Sequence, residues 1–175
     1  TDAATITAGA RSATAGLGPV DVLVNNVGNA GAGAFEPRPF LGMQPAEYAK
    51  FLDANLLGVL HCTRLLVGPM CERGFGRVIT IASGAGVTGS PMGISIYGAG
   101  KGGAIAFMRH LAMEVARSGV TANTLALGLM AHVGDADATR ALARSVPVGR
   151  LGTPDDVGAA AGWVASDEAG WVPRQ

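Results

Sequence analysis

The sequence has little charge and no excess of either sign. Its 13 basic and 13 acidic residues give a formal net charge of zero, and charged residues are only 15% of the chain. The basic residues are scattered, so the sequence shows no positive surface of the kind that binds nucleic acid or anionic membranes. We therefore expect neither nucleic acid nor a membrane as a partner.

Cysteine is also scarce, and the apolar runs are short. Cys62 and Cys71 have neither CxxC spacing nor a histidine cluster, which argues against a metal site and indicates idle thiols in a reducing compartment. Gly, Pro, Asn or charged residues interrupt the apolar runs before they reach the length of a membrane span. This pattern predicts a cytoplasmic protein.

Apolar residues, by contrast, make up 49% of the 175 positions. That is enough for one domain with a core, and the chain is too short for two ordinary domains. We interpret residues 1–175 as a single domain. Because the chain begins at Thr1 without Met, inside a segment that resembles the approach to a helix, we expect it to be part of a longer protein.

Strands and helices alternate along the predicted chain. Runs rich in β-branched residues predict strands at 20–26, 76–83 and 120–127. Apolar residues at three-to-four spacing predict helices at 45–72, 95–117 and 153–168. This order is typical of an α/β protein with a doubly wound, Rossmann-type parallel sheet in three α/β/α layers. The loop 28–45 and a predicted lid at 128–150 follow carboxyl ends of strands, where such sheets bind ligands.

Two glycine-rich stretches invite comparison with phosphate-binding loops. The run "SIYGAGKGG" (95–103) fails the Walker A pattern, because Ser95 stands where Gly is needed and Gly102 where Ser or Thr is needed. The run "GNAGAG" (28–33) lacks G-x-G-x-x-G spacing and is followed by a proline-rich loop. Neither stretch predicts a phosphate site by itself.

Tyr97 and Lys101 stand four residues apart, on one face of the predicted helix 95–117. A free phenol has a pKa of about 10, and a neighbouring ammonium stabilises the phenolate. The pair is therefore a plausible acid/base unit, although such pairs are common in helices without any catalytic role.

Two more polar residues stand at unexpected positions. Ser83 ends the strand 76–83, at the ligand-binding edge of the sheet, where it is either a functional hydroxyl or a small turn residue. Asn55 interrupts an apolar helix, although Asn is a poor residue for helix interiors. It is either a satisfied buried amide or a group that holds a water or a lysine.

Taken together, the motifs resemble the short-chain dehydrogenase/reductase family, and within it most the reductases of the 3-oxoacyl-[acyl-carrier-protein] type. The resemblance rests on motifs that occur in family order and cover nearly the whole chain. They are "LVNNVG" (23–28), Asn55, "VITIAS" (78–83), "YGAGK" (97–101), "VTANTLALG" (120–128) and "VPVGRLGTPDDV" (146–157).

The resemblance implies an NAD(P)-dependent oxidoreductase acting on a small carbonyl or secondary alcohol. It implies that Tyr97 is the general acid and base, and that Lys101 stabilises its phenolate and binds the nicotinamide ribose. Ser83 would polarise the substrate carbonyl, and Asn55 would hold a water in a proton relay. The cofactor, NADP or NAD, would also contact Asn26, Val27, Gly28 and Met130.

The sequence also departs from the family. Val27, Leu127, His132 and Pro173–Arg174 stand where the family usually has other residues, and no glycine-rich phosphate loop precedes Asp21. About 60 residues ahead of Thr1 would be needed for the first strands, and a last strand is expected after Gln175. The alternative prediction is therefore a non-catalytic fragment or degenerate paralogue that keeps only the oligomer-forming scaffold.

Two expectations concern partners. The helices 45–72 and 95–117 resemble those that build four-helix interfaces in the family, which implies a homodimer or homotetramer. Arg140, Arg144 and Arg150 in the lid are either a contact for an acidic carrier or ordinary solvated charges.

Overall fold

Three parallel strands form the sheet. The computed structural model describes residues 2–28, 38–131 and 136–172. Its strands are β1 (Val22–Asn25), β2 (Gly76–Ser83) and β3 (Val120–Leu127), with β2 in the middle and parallel to both neighbours. The predicted bounds of β2 and β3 are confirmed. β1 is shorter than 20–26, and the Asn26 N–H turns back to donate to the Val24 carbonyl at 3.0 Å.

Helices connect and flank these strands. They are α1 (Ala3–Leu17), α2 (Pro45–Leu52), α3 (Gly58–Arg73), α4 (Ser95–Val115), α5 (Ala136–Ala143) and α6 (Pro154–Ala165). The three predicted helices are confirmed, but their bounds and continuity differ from the prediction. A π-helical segment, Asp53–Leu57, separates α2 from α3, and α4 and α6 end earlier than predicted. The predicted lid 128–150 contains α5, and its residues 132–135 lie outside the described part.

Capping residues explain where two of the helices begin. Glu47 and Gln44 form a capping box at α2, whose first residue is Pro45. Thr153 and Asp156 form a second capping box at α6. These side chains satisfy backbone N–H groups that the first helical turn leaves without partners, so each helix has a defined start.

The sheet has a separate core on each face. On one face, Val78 packs with Met70 of α3 and Met108 of α4. On the other face, Ile79 and Ile81 pack with residues of α6. Alternate residues of β2 thus serve opposite faces, and the predicted doubly wound α/β architecture is confirmed.

The helical stretch Pro45–Arg73 corrects the interpretation of the apolar runs as too short for a membrane. By length and composition alone it could cross a bilayer. It contacts β1, β2 and α4, and its residues Val67 and Met70 lie in the core of the sheet. These contacts show that one face of the stretch packs against the sheet, although only 28% of its apolar window is buried.

Candidate active site

The predicted site residues lie along the carboxyl edge of the sheet. Asn26, Val27 and Gly28 follow β1 and are exposed, and Ser83 ends β2. Beyond β3, Met130 forms a parallel bridge with Gly152. The hydrogen bonds of that bridge come from its neighbours, Leu129 and Ala131, so the backbone N–H and C=O of Met130 face away from Gly152.

Glycines allow the first turns of α4 to approach two other segments closely. A β-carbon on Gly98 would lie 2.7 Å from the Ala85 carbonyl oxygen, in the 3₁₀ turn Gly84–Gly86 that follows Ser83. On another side of the helix, a β-carbon on Gly100 would lie 2.9 Å from the Asn55 β-carbon. Real β-carbons do not approach so closely, so larger residues would push these segments apart.

The sequence predicts that the glycines near Tyr97 let the helix approach the sheet and a cofactor. The nearest neighbours of Gly98 and Gly100 belong to the turn after β2 and to the π-helical segment rather than to the strands. The approach of a cofactor stays a prediction. At about 100° per residue, Tyr97 and Lys101 lie on the strip of α4 between these two contacts.

Lys101 is almost completely buried, with 5% of its surface exposed. Its Nζ donates a hydrogen bond to the Ile81 carbonyl oxygen at 2.9 Å. Burial lowers the pKa of this lysine, because the protein interior solvates an ammonium less well than water does. A buried ammonium at the end of β2 is an unusual feature that the i, i+4 spacing alone did not reveal.

Gly28, Asn55 and Lys101 converge on one point. A β-carbon on Gly28 would collide with Nζ of Lys101 and would lie 3.1 Å from Oδ1 of Asn55. Asn55 is fully buried, and its Nδ2 donates to the Phe51 carbonyl oxygen at 3.0 Å. A side chain at position 28 would displace the Lys101 ammonium, so glycine there keeps these three residues together, for a steric reason that only the structure shows.

Ser83 is joined to α4 through the turn that follows it. Its Oγ accepts a hydrogen bond from the Ala85 N–H at 3.2 Å, and the Ala85 carbonyl faces Gly98. Ser83 and Tyr97 are both half-buried. The hydroxyl of Ser83 therefore caps the 3₁₀ turn Gly84–Gly86 and also stands at the carboxyl edge of the sheet.

Other residues named in the sequence analysis lie outside this polar cluster. Arg150 pairs with Asp156 through two hydrogen bonds of 2.6 and 2.9 Å, so its charge is neutralised within the chain, whereas Arg144 is exposed. Leu127 is the last residue of β3. His132 and Pro173–Arg174 lie outside the described residues. Within the described ranges, no group of three His, Cys, Asp or Glu side chains could hold a metal ion.

The fold and the site define a Rossmann-type α/β protein with a polar cluster at the ligand edge of its sheet. A family model described as enoyl-(acyl carrier protein) reductase matches residues 1–174. The chain is 40% identical to "Nodulation protein G" of Azospirillum brasilense, over 90% of this chain and 63% of that protein. It is 35% identical to a 3-oxoacyl-[acyl-carrier-protein] reductase of Haemophilus influenzae, over 89% of this chain and 64% of that one.

A third relative is the acetoacetyl-CoA reductase of Rhizobium meliloti, 36% identical over 90% of this chain and 65% of that protein. On these matches the chain belongs to the short-chain dehydrogenase/reductase family. It spans just under two thirds of the length of these three relatives.

Proposed function

We propose that the protein is an NAD(P)-dependent oxidoreductase that transfers hydride between NAD(P)(H) and a carbonyl compound or secondary alcohol. The observation that supports this most strongly is the buried ammonium of Lys101, held at the Ile81 carbonyl and beside Gly28 and Asn55. Burial of a charge is costly, and Lys101 lies one helical turn from a tyrosine at the ligand edge of the sheet.

Because Gly28 has no side chain, Nζ of Lys101 and Oδ1 of Asn55 can lie against the loop that follows β1, where the cofactor would bind. Asn26, Val27 and Gly28 would line the adenosine side, and Met130 would offer backbone groups to the nicotinamide amide. Lys101 and Tyr97 would bind the ribose. When bound, the cofactor supplies or accepts the hydride, and the residues of the chain supply orientation and protons.

Four residues, which we call the tetrad, have separate parts in the proposed reaction: Asn55, Ser83, Tyr97 and Lys101. The Tyr97 hydroxyl donates a proton to the substrate oxygen during reduction and takes it back during oxidation. Ser83 donates a hydrogen bond to the same oxygen, where negative charge develops. Lys101 stabilises the phenolate that remains on Tyr97. Asn55, at the π-helical segment, holds a water that returns a proton to the lysine.

The proposed substrate is a ketone such as a 3-oxoacyl thioester. Two of the relatives are named as reductases of 3-oxoacyl or acetoacetyl thioesters, whereas the description of the family model names an enoyl substrate. Two hydroxyl groups at one edge suit a carbonyl oxygen, because both can hydrogen-bond to the atom that gains charge. Reduction of an enoyl thioester also develops charge on an oxygen, but its proton ends on a carbon atom, whereas in ketone reduction the proton from Tyr97 ends on the oxygen that its hydroxyl contacts.

The test compares Tyr97→Phe with Tyr48→Phe, which changes the other tyrosine of the chain in the same way. Purified protein is assayed with NADH and with NADPH, on 3-oxoacyl and 2-enoyl thioesters, by loss of reduced-nicotinamide absorbance. We expect ketone reduction by wild type and Tyr48→Phe, and a loss in kcat/KM of about 10²–10⁴-fold in Tyr97→Phe. Lack of cofactor-dependent turnover in folded wild-type protein would favour the non-catalytic scaffold instead.

The proposed assembly is a homodimer or homotetramer built on α3 and α4. A mostly apolar groove of about 510 Å³ lies between these helices, lined by residues such as Leu60, Phe107 and Leu111. Burial of such a groove against a second copy would remove apolar surface from water. A light-scattering mass equal to one chain would contradict this assembly. Cytoplasmic location stays a prediction, which the two free, half-buried cysteines support.

A further inference from the structure

The long segment between β3 and α6 leaves and rejoins the body of the protein at one place, which we call the neck. The neck consists of residues 129–131, after β3, and residues 150–153, before α6. The Ala131 N–H donates to the Gly152 carbonyl at 2.8 Å, and the Gly152 N–H donates to the Leu129 carbonyl at 3.0 Å. The two sides of the neck are therefore paired like short parallel strands.

The neck determines where the backbone of Met130 lies. In the proposed function, that backbone contacts the nicotinamide amide. The hydrogen bonds of the neck come from the two neighbours of Met130, and a β-carbon on Gly152 would lie only 2.7 Å from Sδ of Met130. Because the two sides of the neck are in such close contact, whatever fixes residues 150–153 also fixes Met130.

The second side of the neck has an inward and an outward anchor. It begins after Gly149, whose φ of +74° favours glycine and whose N–H closes a tight turn by donating to the Val146 carbonyl at 2.8 Å. Leu151 is buried, with 6% of its surface exposed. The side chain of Arg150, between them, is 59% exposed. Leu151 therefore holds the neck from inside the protein, and Arg150 holds it from the solvent side.

Arg150 binds the start of α6 through two parallel hydrogen bonds. Its Nη1 and Nη2 donate to the two carboxylate oxygens of Asp156 at 2.6 and 2.9 Å, and Nη1 also donates to the Leu151 carbonyl at 3.1 Å. Oδ2 of Asp156 accepts the N–H and the hydroxyl of Thr153 as well, at 2.8 and 3.0 Å. One carboxylate thus holds both the helix start and Arg150. We call the pair of hydrogen bonds between Arg150 and Asp156 the Arg150 fork.

The Arg150 fork connects the neck to the core of the protein. Asp156 lies in the first turn of α6, and Val164 of the same helix packs against β2. Exposed ion pairs add little to overall stability, but a bidentate pair fixes the orientation of both groups. Hydrogen bonds from Arg150 and Thr153 hold the pKa of the Asp156 carboxyl well below its ordinary value. The fork is therefore intact over the pH range of enzyme assays.

We propose that Arg150 is a positioning residue of the reaction centre, because the Arg150 fork fixes the neck and the neck fixes the Met130 backbone where the nicotinamide amide binds. This inference rests on the proposed function, and it assigns a part in it to a residue outside the tetrad. Arg150 acts through Met130 and not on the reacting atoms. Its effect therefore belongs to cofactor binding rather than to the chemical step.

The first experiment measures hydrogen exchange of the Ala131 and Gly152 amides by NMR in wild type, Arg150→Met and Arg144→Met. Arg150→Met removes the fork and leaves the capping box of α6 in place. We expect exchange at both amides to become about two- to fivefold faster in Arg150→Met. Amides of β2 that exchange through global unfolding correct for any change in overall stability. Arg144, an exposed arginine of the same segment, is the matched control. Equal exchange in all three proteins would overturn the proposal.

The second experiment separates cofactor binding from turnover. The dissociation constant of NADH or NADPH is measured by nicotinamide fluorescence, and kcat and KM are measured with a small ketone. We expect Arg150→Met to raise the dissociation constant and the KM of the cofactor several-fold, while kcat at saturating cofactor changes by less than about twofold. Arg150→Lys keeps the charge without the bidentate geometry and should give intermediate values. A fall in kcat with an unchanged dissociation constant would overturn the proposal.

Failure of the proposed function would give a different set of results. Wild type that binds cofactor but reduces no ketone would contradict the proposed function, while exchange and cofactor binding would still decide the role of Arg150. Turnover by wild type, with exchange and cofactor binding unchanged in Arg150→Met, would contradict the role of Arg150 alone. Folded wild type that bound neither cofactor would contradict both.

Discussion

The two halves of helix α4 use opposite means to hold the protein together. The first half, Ser95–Gly103, has four glycines and surrounds one buried charge, Lys101. The second half, Ala104–Val115, buries Met108, Ala112 and Val115 in the core under the sheet. In the first half, glycines let neighbouring segments approach the helix closely. In the second half, apolar side chains fill the core between the helix and the sheet.

This difference separates positioning from stability within one helix. Apolar surface buried in the second half stabilises the fold, and it fixes the axis of α4 against β2 and β3. Glycines in the first half add almost no apolar area, and each one lowers the intrinsic stability of the helix relative to alanine. Their effect is to set how closely the segments that carry Ser83 and Asn55 approach Tyr97 and Lys101.

The largest expected effect on stability comes from the second half. Met108 is 1% exposed, so Met108→Ala leaves a cavity and should lower the free energy of unfolding by about 2–5 kcal/mol. Met113→Ala on the same helix is the matched control, because Met113 is 63% exposed and its replacement should change stability by about 0.5 kcal/mol or less. Urea denaturation measures both. Similar losses in the two variants would show that burial of Met108 in the core is not what stabilises the fold.

A smaller effect on stability, with a large effect on activity, is expected in the first half. In Gly98→Ala the new methyl group meets the Ala85 carbonyl, and this overpacking should cost about 1–3 kcal/mol. The turn that carries Ser83 must then move, so kcat should fall by more than the loss of folded protein explains. Denaturation and turnover are measured on the same preparation.

Gly158→Ala in α6 is the control for that substitution. A β-carbon on Gly158 would have no atom within 4 Å, so alanine there should add about 0.5–1 kcal/mol through helix propensity alone. If Gly98→Ala also gained stability and kept full kcat, the close contact between α4 and the turn would have no functional meaning.

The sequence predicted what depends on local pattern and missed what depends on contact between distant segments. Apolar runs predicted the parallel sheet, and capping residues such as Thr153 predicted the start of α6. Asn55 was recognised as out of place, but no local pattern predicts the π-helical segment around it. The hydrogen bond from the Arg38 N–H to the Gly93 carbonyl joins residues more than 50 positions apart, and nothing in the run "EPRPF" signals that contact.

The smallest expected effect concerns the buried charge that distinguishes the first half of α4. Burial lowers the pKa of Lys101 below its ordinary value of 10.5, so the folded protein releases this proton at a lower pH than the unfolded chain. Above the unfolded pKa the lysine is neutral in both states, and its burial then costs no desolvation of charge. As pH falls through the folded pKa, the buried lysine must take up a proton, and this relative stability is lost. Lys101 therefore weakens the fold at neutral pH relative to alkaline pH.

The comparison of wild type with Lys101→Met isolates this contribution. Subtracting the two free energies of unfolding removes every pH-dependent group that they share, and the difference should shift in favour of wild type as pH rises from 7 towards 10.5. Urea denaturation at several pH values gives the difference, and repetition at high salt is the control, because desolvation of a buried group is screened little by ions. Parallel curves would mean that Lys101 titrates alike in both states. The charge in the first half of α4 would then have no cost to the fold, and its burial would no longer support a role in the site.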